Sequence, residues 1–426
     1  MASLGISFVV LILMGIPVAF TLGLSAFVFG WSRGASTLMA IPLQMFAGVD
    51  NFVFMAIPLF MLAGELMVHT GILTELLDFN RALLGRFRGS LAHVTILGSM
   101  IFAGISGSAV ADASALGSLL IPAMSRSYNN EFGAGVVAGA STIGPIIPPS
   151  IPMIIYAMSV ESVSIGGLFL SGIVPGILMG LGMMAIAYVQ AVRYGFPASG
   201  ERFTKETFLP ALIKVLPALF MPVVILGGIL GGIFTATEAA AVGVLYALCI
   251  GLFVTRKLKW NDFWSALLQS GKISSMVFMV IATAMAVGWM LTEAQMPQFI
   301  SAKIKAISAN PLVFLLLLNI FLLLVGCVLE PASAMVMLMP IISPIATAYG
   351  IHSLHLGIVV VLNLTIGLLT PPVGTCLFVA CGIAKLPMEK VLRTMWPHLA
   401  WQICVLFLIT YVPSVALTIP FWFGMK

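Results

Sequence analysis

A double proline inside an uncharged run long enough to cross a bilayer leaves a chain few choices, and this chain has two of them. Residues 141–157 read STIGPIIPPSIPMIIYA and residues 364–380 read LTIGLLTPPVGTCLFVA. Thr-Ile-Gly, three residues and Pro-Pro recur at one spacing, Thr142-Ile143-Gly144 with Pro148-Pro149 and Thr365-Ile366-Gly367 with Pro371-Pro372. The phrases sit within runs free of Asp, Glu, Lys and Arg, at 132–160 and 353–384. Pro-Pro removes two N–H donors and collides with the preceding turn, so each span must break at membrane depth. Lipid cannot satisfy the freed carbonyls, and such a break persists only where protein buries it or where it lines a cavity. Interrupted spans in corresponding places point to the binding site of a secondary transporter.

Composition fixes the class. Of 426 residues 61% are hydrophobic and 8% charged, where a soluble domain carries about a quarter charged. Apolar spans fall at 4–31, 51–69, 132–160, 164–192, 210–233, 236–255, 273–292, 353–384 and 398–421, free of Asp, Glu, Lys and Arg except for Glu65, Lys214 and Glu238. No basic leader with a small-residue cleavage site precedes Leu4. Two further apolar stretches, 89–125 and 311–349, are interrupted by Gly104–Ser108 and by Gly326–Ser333. Each is either two short crossings or one re-entrant hairpin. With two hairpins the chain has nine crossings, and fifteen of its nineteen Lys and Arg, Arg202 among them, gather on one side. Arg33, Lys303, Lys305 and Lys426 remain on the other. The basic side is cytoplasmic, which places the N-terminus in the cytoplasm and the C-terminus in the periplasm. The first span has Gly15 and Pro17 in its middle and could also be broken.

This threading makes the halves inverted repeats. Residues 1–209 form the first (hairpin about 89–125, broken helix 132–160), 210–235 a connector span, and 236–426 the second (hairpin about 311–349, broken helix 353–384). The expected fold is an all-α polytopic membrane protein with two re-entrant hairpins and two broken helices. Polar connectors 70–88 and 293–310 correspond too. Ile72, Leu73, Leu76, Leu77, Leu83 and Leu84 share one face of the first, which predicts an interfacial amphipathic helix.

Titratable groups inside the spans are few, and each is a functional candidate. Asp112 and Glu330 follow the hairpin tips, where an acidic residue also caps a helix; capping is the expected role of Asp112. Glu65 and Glu238 suit pairing with a neighbouring helix or a partner subunit. The prolines at each break free carbonyls, which with a hydroxyl (Thr142 or Ser150; Thr365 or Thr370) suit Na⁺. No carboxylate or histidine lies within the breaks, which favours Na⁺ over a proton. Half-helix N-termini near Pro149-Ser150 and Pro372-Val373 favour an anionic solute. Candidate solute contacts are Ser108, Asp112, Ser150 and Ser333. The five cysteines read as small buried hydrophobes. A GxSG run at Gly104–Gly107 matches intramembrane serine proteases, but no histidine sits mid-span beside it.

The segments GIPVAFTLG (15–23), AIPLFMLAGELM (56–67), GSAVADASALGSLLIPAM (107–124), GPIIPPSIPMIIYA (144–157) and NLTIGLLTPPVGTCLFV (363–379) resemble the large membrane subunit of tripartite ATP-independent periplasmic (TRAP) transporters. The resemblance runs nearly end to end. It implies a Na⁺-driven importer of elevator type in the bacterial inner membrane, not an enzyme, in unfused form. It also implies a small four-helix membrane subunit and a soluble periplasmic binding protein that delivers an organic acid such as a C4-dicarboxylate or sialic acid. Two Na⁺ sites carry over, one to Ser106, Ser108, Gly144 and Ile147, the other to Gly326, Glu330, Gly367, Thr370 and Val373. A stand-alone Na⁺/carboxylate symporter is the second reading.

Overall fold

The computed structural model describes residues 2–160, 163–197 and 204–425. Arg202, Lys426 and the side chain of Lys305, used above to orient the chain, lie outside them. Helices α1 (Ala2–Leu13), α2 (Val18–Arg33) and α3 (Ala35–Val49) open the chain. Then come α4 (Ala56–His69), the short α5 (Ile72–Leu84), the pair α6 (Ser90–Ser106) and α7 (Ala109–Ser125), the pair α8 (Asn130–Ser141) and α9 (Ile151–Ser159), and the long α10 (Ile165–Arg193). After α11 (Lys205–Leu230) and α12 (Ala236–Cys249) the same order returns. The long α13 (Trp260–Glu293) precedes the short α14 (Met296–Ile307), the pairs α15 (Pro311–Gly326) with α16 (Pro331–Ala348) and α17 (Ser353–Gly367) with α18 (Thr375–Ala384), and the long α19 (Met388–Tyr411). α20 (Ser414–Trp422) follows.

Local chemistry sets the turns. Gly107 ends α6 at φ 59, a left-handed conformation that glycine adopts without a Cβ penalty. Ser108 then caps α7, its Oγ accepting from Ala111 N–H at 3.5 Å. α6 and α7 have 17 residues each, about 25 Å at ~1.5 Å per residue, short of a ~30 Å hydrocarbon core. In the other pair Pro331 takes the first position of α16, where an N–H would have no partner anyway. Both Pro-Pro phrases interrupt helices, over 142–150 and 368–374, and both Pro-Pro bonds are cis. α9 begins where expected, behind Ser150, whose Oγ accepts from Met153 N–H at 3.3 Å. α18 begins at Thr375, after Gly374 at φ 47, and not at Pro372-Val373.

The first span breaks at the glycine and proline noted in its middle, into two helices parted by Gly15 at φ 78 and Pro17. Other expectations need correction. α3 was not foreseen, because its uncharged sequence, with Pro42 inside, reads as a connection. Seven helices are long and apolar enough to cross a bilayer among the described residues, against nine expected crossings. The broken spans fail that length test because each half is short, whereas α16 passes it as one arm of a pair. The connector helix begins at Lys205, behind a Thr204 cap, not at 210. Cys249 and Cys404 are exposed, since an apolar exterior accepts a thiol as readily as the core does. Glu238 makes no hydrogen bond or ion pair to a neighbouring helix among the described residues and instead closes a capping box, accepting from Thr235 N–H at 2.8 Å.

α4 packs on α12, and α13 on α2, α3, α4 and α16. α5 buries Ile72, Leu73, Leu76, Leu77 and Leu84 and packs against α6 and α11. The two broken helices are tied to each other. Tyr156 Oη donates to the Ser353 carbonyl at 2.8 Å, joining α9 to α17. Asn130 Nδ2 donates to the Ala384 carbonyl at 2.9 Å, joining α8 to α18. Asn319 on α15 holds α17 and α19 together: its Nδ2 reaches Thr410 Oγ1 at 2.9 Å, and its Oδ1 accepts from Asn363 Nδ2 at 3.0 Å. All three residues are buried. Replacing Asn319 by Leu removes two buried side-chain hydrogen bonds, while Asn363 Nδ2 keeps the residue-319 carbonyl and Thr410 Oγ1 the Leu406 carbonyl, and should cost about 1–3 kcal/mol. Thermal unfolding of the solubilised protein, followed by tryptophan fluorescence, checks this; an unchanged midpoint would refute it.

Candidate functional site

Each helix break is covered by the tip of a helix pair, and glycines permit the approach. A Cβ on Gly107 would lie 2.7 Å from the Pro149 carbonyl oxygen and 3.3 Å from Ile151 N. At the second break a Cβ on Gly326 would lie 3.2 Å from Gly367 Cα, and one on Gly367 would collide with the Gly326 backbone. Val373 N–H donates to the Cys327 carbonyl at 3.3 Å across the same seam.

The first seam gathers Ser106, Ser108, Asp112 and Gly144. Asp112 is fully buried in α7 and does not cap the helix, a role that Ser108 takes from the better position. Ser106 Oγ donates to Asp112 Oδ1, while Asp112 Oδ2 has no hydrogen-bond partner among the described residues. That oxygen faces Gly144, where a Cβ would lie 2.5 Å from it. The carbonyls of Gly144 and Ile147 accept no hydrogen bond among the described residues. Ser150 Oγ is spent on the Pro145 carbonyl at 2.5 Å. Thr142 Oγ1 turns back to the Gly139 carbonyl at 2.7 Å.

The second seam gathers Gly326, Gly367, Thr370 and Val373. The Gly367 carbonyl accepts from Thr370 N–H at 2.9 Å, whereas the carbonyls of Gly326, Thr370 and Val373 accept nothing among the described residues. Thr370 Oγ1 donates to the Ile366 carbonyl at 3.2 Å, and Thr365 Oγ1 to Val361 at 2.6 Å. Glu330 precedes α16 without a side-chain capping bond.

Between the seams lies a cavity of about 530 Å³, walled by both tips, both breaks, α4 and α13. Ser108 and Glu330 reach it, with Ala109, Ile151 and Pro331 from the first turns of α7, α9 and α16. Ser150, Ser333 and Asp112 do not: all three are buried away from its wall. Three contributors were missed. Gln269 stands on α13 just before its apolar run, and Ser114 and Ser118 stand one turn apart on α7; the spacing of the two serines on one helix face was the available signal. Among the described lining residues Glu65 and Glu330 are acidic and none is basic.

Ser106, the protease candidate, meets a carboxylate and no imidazole. His398 engages Gln190 Oε1 at 2.9 Å and His355 the Ile409 carbonyl at 2.9 Å.

Gly107→Ala should destabilise the protein by about 1–2 kcal/mol for its left-handed backbone alone, with the Pro149 collision added. Gly367→Ala should do so through collision. Gly382, where an added Cβ would meet nothing within 4 Å, is the control, and Gly382→Ala should leave the unfolding midpoint unchanged or higher. Equal midpoints for all three variants would contradict the close seams.

The chain matches the family described as tripartite ATP-independent periplasmic transporter, DctM component, over residues 6–415. It is 40% identical to the C4-dicarboxylate TRAP transporter large permease protein DctM of Pseudomonas aeruginosa, over 92% of this chain and 91% of that one. It is 37% identical to the sialic acid TRAP transporter large permease protein SiaM of Vibrio cholerae, over 96% of each. Its fold is similar to that of the Alcanivorax borkumensis YdaH transporter, with a TM-score of 0.61 at 14% identity, over 89% of this chain and 90% of that one. The paired tips and breaks thus stand in a multi-pass membrane protein that belongs to the DctM family of TRAP transporter large permeases, a family of transporters and not of enzymes.

Proposed function

We propose that this chain carries out Na⁺-coupled uptake of an anionic organic solute across the bacterial inner membrane. The observation that carries the reading is the cavity: it joins both seams, yet its charged walls are acidic. A carboxylate entering it meets repulsion unless cations enter too, and the seams offer oxygen atoms that suit a hard monovalent ion. Ser106, Ser108, Gly144 and Ile147 would hold one Na⁺, and Gly326, Glu330, Gly367, Thr370 and Val373 a second. Asp112 belongs with the first ion and not with the solute, because its free oxygen faces Gly144 and not the cavity. Ser108 and the first turns of α7, α9 and α16 would receive the solute's carboxylate.

The repeated helix order supports inverted repeats, with the two helix pairs as re-entrant hairpins, the N-terminus cytoplasmic and the C-terminus periplasmic. In this reading the tips and broken helices move together as an elevator against a frame that includes α4, α12 and α13. A small membrane subunit docks on the frame, and a soluble binding protein delivers the solute. The names of the relatives make a C4-dicarboxylate or sialic acid the first solutes to try.

The chain, its small-subunit partner and a binding protein should be reconstituted in proteoliposomes with labelled solutes. Uptake should require an inward Na⁺ gradient and the binding protein. Uptake without the binding protein would identify a stand-alone symporter instead, and uptake indifferent to Na⁺ would refute the coupling. Asp112→Asn should raise the half-saturating Na⁺ concentration by about tenfold or more, the scale on which groups around an ion alter its affinity. A cysteine introduced by Ser108→Cys should react with a membrane-impermeant reagent at a rate that changes with Na⁺ and solute. A rate that ignores both ligands, in a variant that still transports, would exclude the moving unit.

A further inference from the structure

We propose that Glu65 is a cation ligand supplied by the frame, so that the first ion site is complete only while the first tip stands against α4. The inference rests on the reading of Ser106 and Ser108 as ligands of a coupling Na⁺. Beside the main cavity a recess of about 30 Å³ opens between α4 and the first tip, lined by Glu65, Ser106 and Ser108 with apolar Met61, Phe102 and Ile273. It has room for a water-sized guest and none for an organic acid. Gly64 brings α4 against the tip: a Cβ there would lie 3.2 Å from Ser106 Cα and 3.5 Å from the Ile105 carbonyl oxygen.

Around this recess acceptors outnumber donors. Ser106 Oγ gives its proton to Asp112 and accepts from Ser108 N–H at 3.3 Å, which leaves it no proton and one lone pair for other neighbours. Glu65 has no ion pair and accepts no hydrogen bond among the described residues. Its carboxylate and the remaining Ser106 lone pair therefore face one apolar-walled space as acceptors, an arrangement that needs a cation or donors between them. Ser108 Oγ lies at the same recess; its one hydroxyl proton cannot serve every acceptor there, and turned outward it offers a cation a further oxygen.

Under the proposed function the two sides of this site belong to different bodies. Glu65 is on α4, which packs on α12 and α13, whereas Ser106 and Ser108 belong to the tip that seals the first break. Movement of the tip away from α4 removes a full negative charge from the ion's surroundings. Na⁺ affinity is then higher in the position described here and lower in the other, and a ligand shifts a two-state equilibrium only through such a difference.

The test uses the purified chain with its small-subunit partner in lipid nanodiscs, and reads binding of radioactive Na⁺ and Na⁺-dependent thermal stabilisation, with choline chloride as the ionic-strength control. Glu65→Gln keeps the size and hydrogen-bonding capacity but removes the charge, and should raise the half-saturating Na⁺ concentration by about tenfold or more. Glu65→Asp keeps the charge and should bind Na⁺ more nearly like the unmodified protein than Glu65→Gln does. Binding that is normal in Glu65→Gln, or rescued by Gln and not by Asp, overturns the inference and leaves Glu65 a hydrogen-bonding or packing residue. If Ser108→Ala weakens Na⁺ binding while Glu65→Gln does not, this inference alone fails. Absence of Na⁺ binding in the unmodified protein would overturn the Na⁺ reading and this inference with it.

Discussion

The structure depends on backbone that has left its helix in the middle of an apolar protein. Such carbonyls are tolerable only where something other than lipid faces them. Here the facing surface is the tip of a second helix pair, brought close because Gly107, Gly326 and Gly367 carry no side chain. A Cβ at Gly107 would enter contact distance of the Pro149 carbonyl, so the break and its cover are one packed object. The same requirement met twice produces the doubled architecture, with each Pro-Pro phrase beneath its own tip.

Electrostatics then restricts what the doubled site can hold. Glu65 and Glu330 reach the cavity without a basic partner among its described walls, and Asp112 sits buried behind the tip with one oxygen unpartnered. Burying carboxylates in a low-dielectric region is costly unless opposite charge accompanies them. The first turns of α7, α9 and α16 offer only partial positive charge, on the order of half a unit per helix end. An organic anion in this cavity therefore needs mobile cations as companions, which makes coupling a consequence of charge balance under the proposed function.

The breaks and the helix pairs were legible in the sequence because proline and glycine act locally. Pro148-Pro149 cannot continue a helix, and the pairs 90–125 and 311–348 fall within two residues of the interrupted stretches that announce them. Local rules erred where two residues compete for one role. Asp112 looks like a cap, but Ser108 stands at the position from which a short side chain reaches a first-turn N–H. The start of α18 moved to Thr375 because Gly374, at φ 47, turns the chain two residues later than the prolines suggest. The cavity wall was illegible for a different reason. Gln269 and Ser108 lie far apart in sequence and meet only through the packing of α13 against the tips.

The hydrogen bonds between the broken helices bear on how such a site can work. Tyr156 to Ser353 joins the half-helix after the first break to the start of the second broken helix, and Asn130 to Ala384 joins the remaining halves in the reciprocal sense. Neither break can shift alone without stretching these bonds, whose loss would leave buried polar groups unsatisfied at about 1–3 kcal/mol each. Among the described residues the contacts of α4 and α13 with this unit have no such side-chain hydrogen bonds at the first tip. There the approach is Gly64 against Ser106, with apolar walls beside it, an interface held by packing. Under the proposed function, two ion seams locked to each other and seated on a frame would answer to the sum of their ligands, and loading one seam alone would change the balance for both.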